Sequence, residues 1–157
     1  MTRAILVIED GTEYVDALRS LASGDSVELA RAADVDEARR ALADRLFDAV
    51  FLDVVFDRTA PEKLAGDLEA QIRRFGGDQP RAERHLAENQ GFYLLNELAG
   101  ILPATVPVVI AYDFSGEPER LASLRRTRAN LSGLPDGTPI SAVLDLLSTG
   151  DTRDDPP

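Results

Sequence analysis

Short apolar runs alternate along the chain with segments whose apolar residues fall at helical spacing. Ile5-Leu6-Val7-Ile8 and Ala49-Val50-Phe51-Leu52 are uninterrupted and rich in β-branched or aromatic residues, and polar residues follow each. Such runs read as parallel strands buried on both faces. They predict a first strand over residues 4–9 and a third over 48–53. Between them, Val27, Leu29 and Arg31 outline a shorter, alternating second strand of edge type. Pro107-Val-Val-Ile-Ala-Tyr112 predicts a fourth strand, and residues 129–134 a weak fifth. Tyr14, Val15, Leu18 and Leu21 place a helix over residues 12–23, ended by the turn chemistry of Gly24-Asp25. Asp34 is the N-cap of a helix reaching Asp44, with Glu37 in capping-box register and Ala38, Ala41 and Leu42 on its inner face. Phe92, Leu94, Leu95 and Leu98 define a helix that ends at Gly100. Glu117 or Pro118 opens another, running to about Arg126, and Ile140, Val143, Leu144 and Leu147 carry the last.

Residues 54–90 break this rhythm: they are rich in charge and contain no buried strand pattern. A structureless loop of that length is unusual in a compact domain, so an inserted helical hairpin over about residues 57–89 is the better reading. Pro61 suits a first helical turn, and Leu64, Leu68, Ile72 and Phe75 follow at helical spacing up to Gly76-Gly77. A second short helix is predicted over residues 80–89. The insertion either covers apolar surface or serves as a lid or docking element. Strict alternation of strand and helix implies an α/β fold, a doubly wound five-stranded parallel sheet with right-handed crossovers. The flavodoxin-like order 2-1-3-4-5 makes strands one and three neighbours. The expected organisation is one domain over residues 1–149, followed by a disordered acidic tail over 150–157.

That order gives three acids a common position. Glu9 and Asp10 end the first strand, Asp53 ends the third, and ligands of such sheets bind outside the carboxyl ends of the strands. Crowded carboxylates repel unless a cation sits among them. A hard divalent ion such as Mg²⁺ suits oxygen ligands and keeps several waters, which would prepare an aspartate to accept a phosphoryl group. The plainer alternative is that acids at strand ends cap the helices that follow.

Composition narrows the function. With 157 residues the chain makes one ordinary domain. A net charge of −11 and a pI near 4.5 argue against direct nucleic-acid binding. The basic stretch from Arg120 to Arg128 reads as a solvated helix face or a docking face for a protein partner. There is no cysteine, so thiol chemistry and disulfides are excluded. His85 is the single histidine, expected on the surface of the insertion, and a transition-metal site is not indicated. Glu9-Asp10-Gly11-Thr12 lacks the glycine spacing of a phosphate-binding loop. No apolar run approaches the roughly 20 residues of a membrane span, and no signal peptide is read at the N-terminus. A cytoplasmic chain without membrane or nucleic-acid partners is the expectation.

Ile5-Leu-Val-Ile-Glu-Asp10, Asp48-Ala-Val-Phe-Leu-Asp53, Asn89-Gln-Gly91-Phe-Tyr-Leu-Leu95 and Pro107-Val-Val-Ile110, in this order and spacing, resemble the receiver domain of two-component response regulators. The resemblance covers most of the chain except the insertion and the tail. It implies a signalling switch in which a histidine kinase or phosphotransfer protein phosphorylates Asp53. It also implies Mg²⁺ held by Glu9, Asp10, Asp53 and the backbone carbonyl of Val55. Output would pass by contact with a downstream effector protein or a second copy of the chain, across the surface that includes Arg120 to Arg128. The chain would act as a stand-alone receiver, with at most self-catalysed phosphotransfer.

Two features of that family are absent. Its Thr or Ser at the end of strand four aligns with Tyr112, flanked by Ala111 and Asp113, and the nearest hydroxyl of the usual type is Ser115. Its Lys before Pro at the end of strand five is Leu134-Pro135 here, and its switch aromatic falls on Leu131. Tyr112 and Ser115 are therefore candidate phosphoryl contacts, and Lys63 or Arg58 candidate replacement cations. The competing reading is a pseudo-receiver that never carries phosphate and acts as a constitutive interaction or dimerisation module. A weaker one is a small metal-dependent phosphohydrolase, for which Asp57 cannot be given an acid–base role from sequence.

Overall fold

The run Ala49-Val-Phe-Leu52 is fully buried and forms β3 (Ala49–Leu52), the central strand of the sheet. The computed structural model describes residues 2–22 and 26–149. Around β3 lie β1 (Arg3–Ile8), β2 (Val27–Ala32), β4 (Val108–Ile110) and β5 (Leu131–Ser132). All pairings are parallel and the order is β2-β1-β3-β4-β5. Alternation along each strand sorts the core into two layers. Leu6, Ile8, Val50, Leu52, Val108 and Ile110 face α2 (Val35–Asp44) and α5 (Gln90–Leu98), meeting Ala38, Leu94 and Leu98. Ile5, Val7, Phe51 and Val109 face α1 (Glu13–Leu21) and α7 (Ile140–Thr149), meeting Val15, Leu18, Val143 and Leu147.

Local chemistry sets the helix ends. Asp34 caps α2 by accepting the Glu37 N–H at 2.9 Å, as the sequence predicts. Glu37 returns to the Ala33 N–H at 3.4 Å, one residue before the position of a capping box. The predicted turn at Gly24-Asp25 and the tail over 150–157 lie outside the described residues. β4 and β5 are shorter than predicted. The β4 ladder stops because the chain turns sharply at Ala111, where the Tyr112 N–H donates back to the Ile110 carbonyl at 2.8 Å.

The insertion holds a 3₁₀ turn (Pro61–Lys63), α3 (Leu68–Arg74) and α4 (Gln79–Glu88). Asp67 and Asp78 cap the two helices by accepting the N–H groups of Ala70 and Arg81. Gly76 and Gly77, at φ of 65° and 90°, reverse the chain between them. The predicted apolar row Leu64, Leu68, Ile72 is only half-buried, and α3 contains no buried residue. Phe56, Ala65, Ala82 and Leu86 anchor the segment instead. Gln90, itself buried, closes the attachment. Its side-chain carbonyl accepts the Ala65 N–H at 2.6 Å, and its amide donates to the carbonyls of Ala65 and Leu86, both at 3.1 Å.

Gln90→Leu keeps the volume but leaves the Ala65 amide and carbonyl buried without partners. Each such group costs about 1–3 kcal/mol, so urea denaturation should show a loss of about 2–4 kcal/mol. Limited proteolysis should cut first near residues 60–67.

Candidate functional site

At the open end of β1 and β3, the three predicted acids are brought together and each is fixed differently. Glu9 is 1 % exposed. Its two carboxylate oxygens accept the N–H groups of Tyr14 at 3.1 Å and Val15 at 2.7 Å. A carboxylate there satisfies two of the amides that the first turn of α1 leaves unpaired and complements the positive end of the helix. Glu9 thus works as the cap of α1, the role the plainer reading gave it, and Thr12, the formal N-cap, makes no side-chain cap.

Asp10 is half-buried and accepts the Arg58 backbone N–H at 2.8 Å through Oδ2. Its own carbonyl and that of Gly11 accept hydrogen bonds from the Arg31 guanidinium. Arg31 projects from β2, and the alternation of an edge strand gave no sign of this tether. The guanidinium of Arg58 turns to Glu13 in an exposed ion pair. A side chain at Gly11 would meet the ends of both partners of that pair, which are exposed and would have to swing aside.

Asp53 is half-buried, its N–H donates to the Ile8 carbonyl at 3.0 Å, and its Oδ1 accepts the Val54 N–H at 2.8 Å. Burial pushes its carboxyl from an ordinary 3.8 to about 6; the Val54 hydrogen bond opposes the shift, and the charges of Asp10, Glu9 and Glu13 reinforce it. The charges that act on Asp53 are thus negative. Arg58 spends its charge on Glu13, Asp10 and Asp57, and Lys63 lies exposed on the 3₁₀ turn. The loop after Asp53 leaves Val55 47 % exposed. Gly91 at the start of α5 packs directly on this loop, where a Cβ would lie 2.5 Å from the Asp53 carbonyl oxygen.

The two hydroxyls predicted for the phosphoryl side are engaged elsewhere. Tyr112 packs edge-to-face against Phe92 and Phe114 on the opposite layer from Asp53. Its hydroxyl donates to Glu117 and accepts from Arg120. Ser115 is exposed and bonds through both its N–H and its hydroxyl to Asp113. Asp113 also accepts the Asp136 N–H at 3.0 Å, tying the loop after β4 to the loop after β5.

The basic stretch is less free than its sequence implied. It belongs to α6 (Pro118–Thr127) and the residue that follows it. Arg120 lies 3.9 Å over the Phe92 ring, Arg125 Nε donates to the Leu131 carbonyl at 2.8 Å, and Arg128 is 5 % exposed. The guanidinium of Arg128 donates to the carbonyls of Leu102, Pro103 and Val106. His85 is half-buried rather than on the surface, with Nε2 3.0 Å from the Tyr93 hydroxyl. Among the described residues, no three acidic or histidine side chains form a ready-made metal cage, and no helix is long and apolar enough to cross a membrane.

The chain matches no protein-family model and no curated protein sequence. Its fold matches that of solved receiver domains. The receiver domain of NtrX from Brucella abortus superposes with a TM-score of 0.60 at 22% identity, covering 93% of this chain and 96% of that one. Against a longer NtrX chain from the same organism, the match covers 94% of this chain and 26% of that one. A two-component response regulator from Clostridium difficile matches at TM-score 0.60 and 12% identity, over 99% of this chain and 100% of that one. A CheY-like receiver domain protein from Methanospirillum hungatei JF-1 matches at 0.57 and 13% identity, over 92% and 90%. The chain therefore has the receiver fold, a flavodoxin-like sheet with Asp53 at its switch point.

The raised pKa of Asp53 sets a direction for stability. Its protonated form is favoured by folding, so this contribution is full below about pH 4 and is lost as pH rises through about 6. Raising the carboxyl from 3.8 to about 6 corresponds to about 3 kcal/mol, and partial exposure screens this to about 1–2 kcal/mol. Asp53→Asn should therefore be more stable than the wild type by that amount in urea at pH 7.5 with chelator present. The gain should vanish near pH 4. An equal gain at both values would show that Asp53 does not titrate in this window.

Proposed function

We propose that the chain is an atypical receiver-type signalling switch that accepts a phosphoryl group on Asp53 with the help of Mg²⁺. The observation that carries this reading is the environment of Asp53. It ends the central strand at the switch point, reaches solvent, and is surrounded by acids whose combined charge calls for a cation.

The donor set fits such an ion. Asp10 and Asp53 each bind a protein N–H through one carboxylate oxygen, and the other oxygen takes no hydrogen bond among the described residues. Mg²⁺ is commonly held by one or two carboxylates, with water completing its shell, so a preformed cage is not required. In this reading Asp10 and Asp53 hold the ion with the Val55 carbonyl. Glu9, whose two oxygens are occupied, contributes charge and keeps α1 in place. When bound, the ion would neutralise charge between the carboxylates and the phosphoryl oxygens.

The chain's own residues then do the following. A carboxylate oxygen of Asp53 forms a new bond to phosphorus as the bond to the donor's nitrogen or oxygen breaks, and the bonding pair leaves with the donor. The Val54 N–H holds the other oxygen, and Gly91 fixes the loop that presents the nucleophile. A histidine kinase or phosphotransfer protein would be the donor, and output would run through protein contacts across α6 and β5. α6 packs Leu121 and Leu124 on the core and exposes Arg126 on its outer side, which offers a partner a charged helix face. The pseudo-receiver remains the second reading, favoured by one observation: Leu134 stands where the family carries its cation, and the charges around Asp53 are negative.

Incubation with Mg²⁺ and a small phosphodonor should add one phosphoryl group by intact mass, absent from Asp53→Ala. No gain under conditions that label an ordinary receiver would select the pseudo-receiver. Independently of phosphate, Mg²⁺ should raise the melting temperature of the wild type at pH 7.5, as any ligand of the native state does. That rise should be lost in Asp10→Asn.

A further inference from the structure

We infer that the Tyr14 hydroxyl supplies the hydrogen-bond donor for the phosphoryl group that the end of β4 does not provide. This inference rests on the reading of Asp53 as phosphoryl acceptor. Tyr14 is in the first turn of α1, and its backbone is fixed by the bond from its N–H to Glu9. Its ring lies 4.5 Å from that of Phe51, two residues before Asp53 on the same face of β3. The side chain therefore lies on the face of β3 that carries Phe51, within reach of the charge of Asp53. It lines a cavity of about 320 Å³ with Ala111, Tyr112, Asp113, Leu134, Thr138 and Ile140, and the Tyr112 hydroxyl and Asp113 carboxylate are bonded to other groups. Ala111 and Leu134 border the positions from which the family draws its hydroxyl and its cation, and here both side chains are apolar.

The Tyr14 hydroxyl has no hydrogen-bond partner among the described residues, in contrast to Tyr112 and Tyr93. Partial burial and the charges of Asp53 and Glu9 keep it protonated, because they raise its pKa above the usual 10.0. It is thus a neutral donor in the lining of this cavity, near enough to Asp53 for that carboxylate's charge to act on it. Transfer from a phosphoramidate or acyl phosphate forms one P–O bond to Asp53 and breaks the bond to the donor, with the electron pair leaving on the donor's nitrogen or oxygen. Tyr14 keeps its proton throughout and donates a hydrogen bond to a phosphoryl oxygen. A neutral donor is the appropriate kind here, because it offsets charge on the phosphoryl group without needing a counter-ion in an acidic pocket.

Tyr14→Phe retains the ring packing on Phe51 and removes only the donor. With Mg²⁺ and phosphoramidate, its labelling rate should fall on the order of 10²–10³-fold, the scale of a lost donor to a developing oxyanion. Its melting temperature and its response to Mg²⁺ should match the wild type, and Tyr93→Phe should label normally. Wild-type labelling with an unchanged rate in Tyr14→Phe would overturn the role of Tyr14 and leave Asp53 as acceptor. Failure of the wild type to label would overturn both. A second measurement needs no variant: beryllofluoride on Asp53 of the wild type should protect Tyr14 from O-acetylation by N-acetylimidazole, read by peptide mapping. Equal acetylation with and without beryllofluoride would overturn the proposal.

Discussion

Negative charge concentrated at the open end of β1 and β3 is the constraint on which the surrounding structure depends. Like charges a few ångströms apart repel by several kcal/mol at a partly buried protein site, so each acid needs its own compensation. Glu9 finds it in two amides of α1, Asp10 in the Arg58 amide, and Asp53 in the single Val54 amide. The compensation is unequal, and the least provided group, Asp53, has its ionisation displaced toward neutral pH. Perturbed pKa values cluster at functional sites. Here burial at the end of the central strand is the main cause, and the adjacency of β1 and β3 adds the charges of Asp10 and Glu9.

The insertion is joined to this site through the backbone. Gln90 and Gly91 are consecutive residues with different tasks: Gln90 clamps the insertion at Ala65, and Gly91 presses on the carbonyl of Asp53. The Gly91 N–H also donates to the Val54 carbonyl at 3.0 Å, and the Phe56 N–H to the Ala87 carbonyl at 2.8 Å. The segment after β3 is therefore held between α4 and the start of α5. That geometry describes a buttress rather than a free lid, because its attachments are buried and its anchors are Phe56 and Leu86. A shift of the Asp53 loop would have to move Gly91, and with it the Gln90 clamp.

The central strands were legible in the sequence because residues buried on both faces leave uninterrupted apolar runs, as in Ile5 to Ile8 and Ala49 to Leu52. The Asp34 cap was legible because capping chemistry is local. Other features depend on contacts that no local pattern encodes. Gln90 looks like any polar helix residue, yet its amide completes the backbone of a segment 25 residues away. Arg128 ended a stretch that read as a solvated face, but its planar guanidinium fits a set of orphan carbonyls at the end of the α5–β4 loop. Convergence of the three acids was predictable from strand order. The capping role of Glu9 could be named in advance only as an alternative, since its partners are five and six residues away.

The departure of β4 from the usual receiver pattern has a structural consequence beyond the loss of one hydroxyl. Ala111 pairs laterally with the end of β3, its N–H donating to the Leu52 carbonyl at 2.9 Å. The chain then turns, and Tyr112 passes to the other layer, where Phe92 and Arg120 enclose it. It still contributes to the lining of the cavity that Tyr14, Ala111 and Leu134 border, but its hydroxyl is bonded to Glu117 and Arg120. With its hydroxyl engaged, Tyr112 offers the cavity no free donor, and Leu134 after β5 offers it no cation. The loop between β4 and α6 is meanwhile held by Asp113, whose carboxylate is spent on Ser115 and Asp136. Among the residues that line this cavity, Tyr14 comes from the α1 side, the side whose position Glu9 fixes.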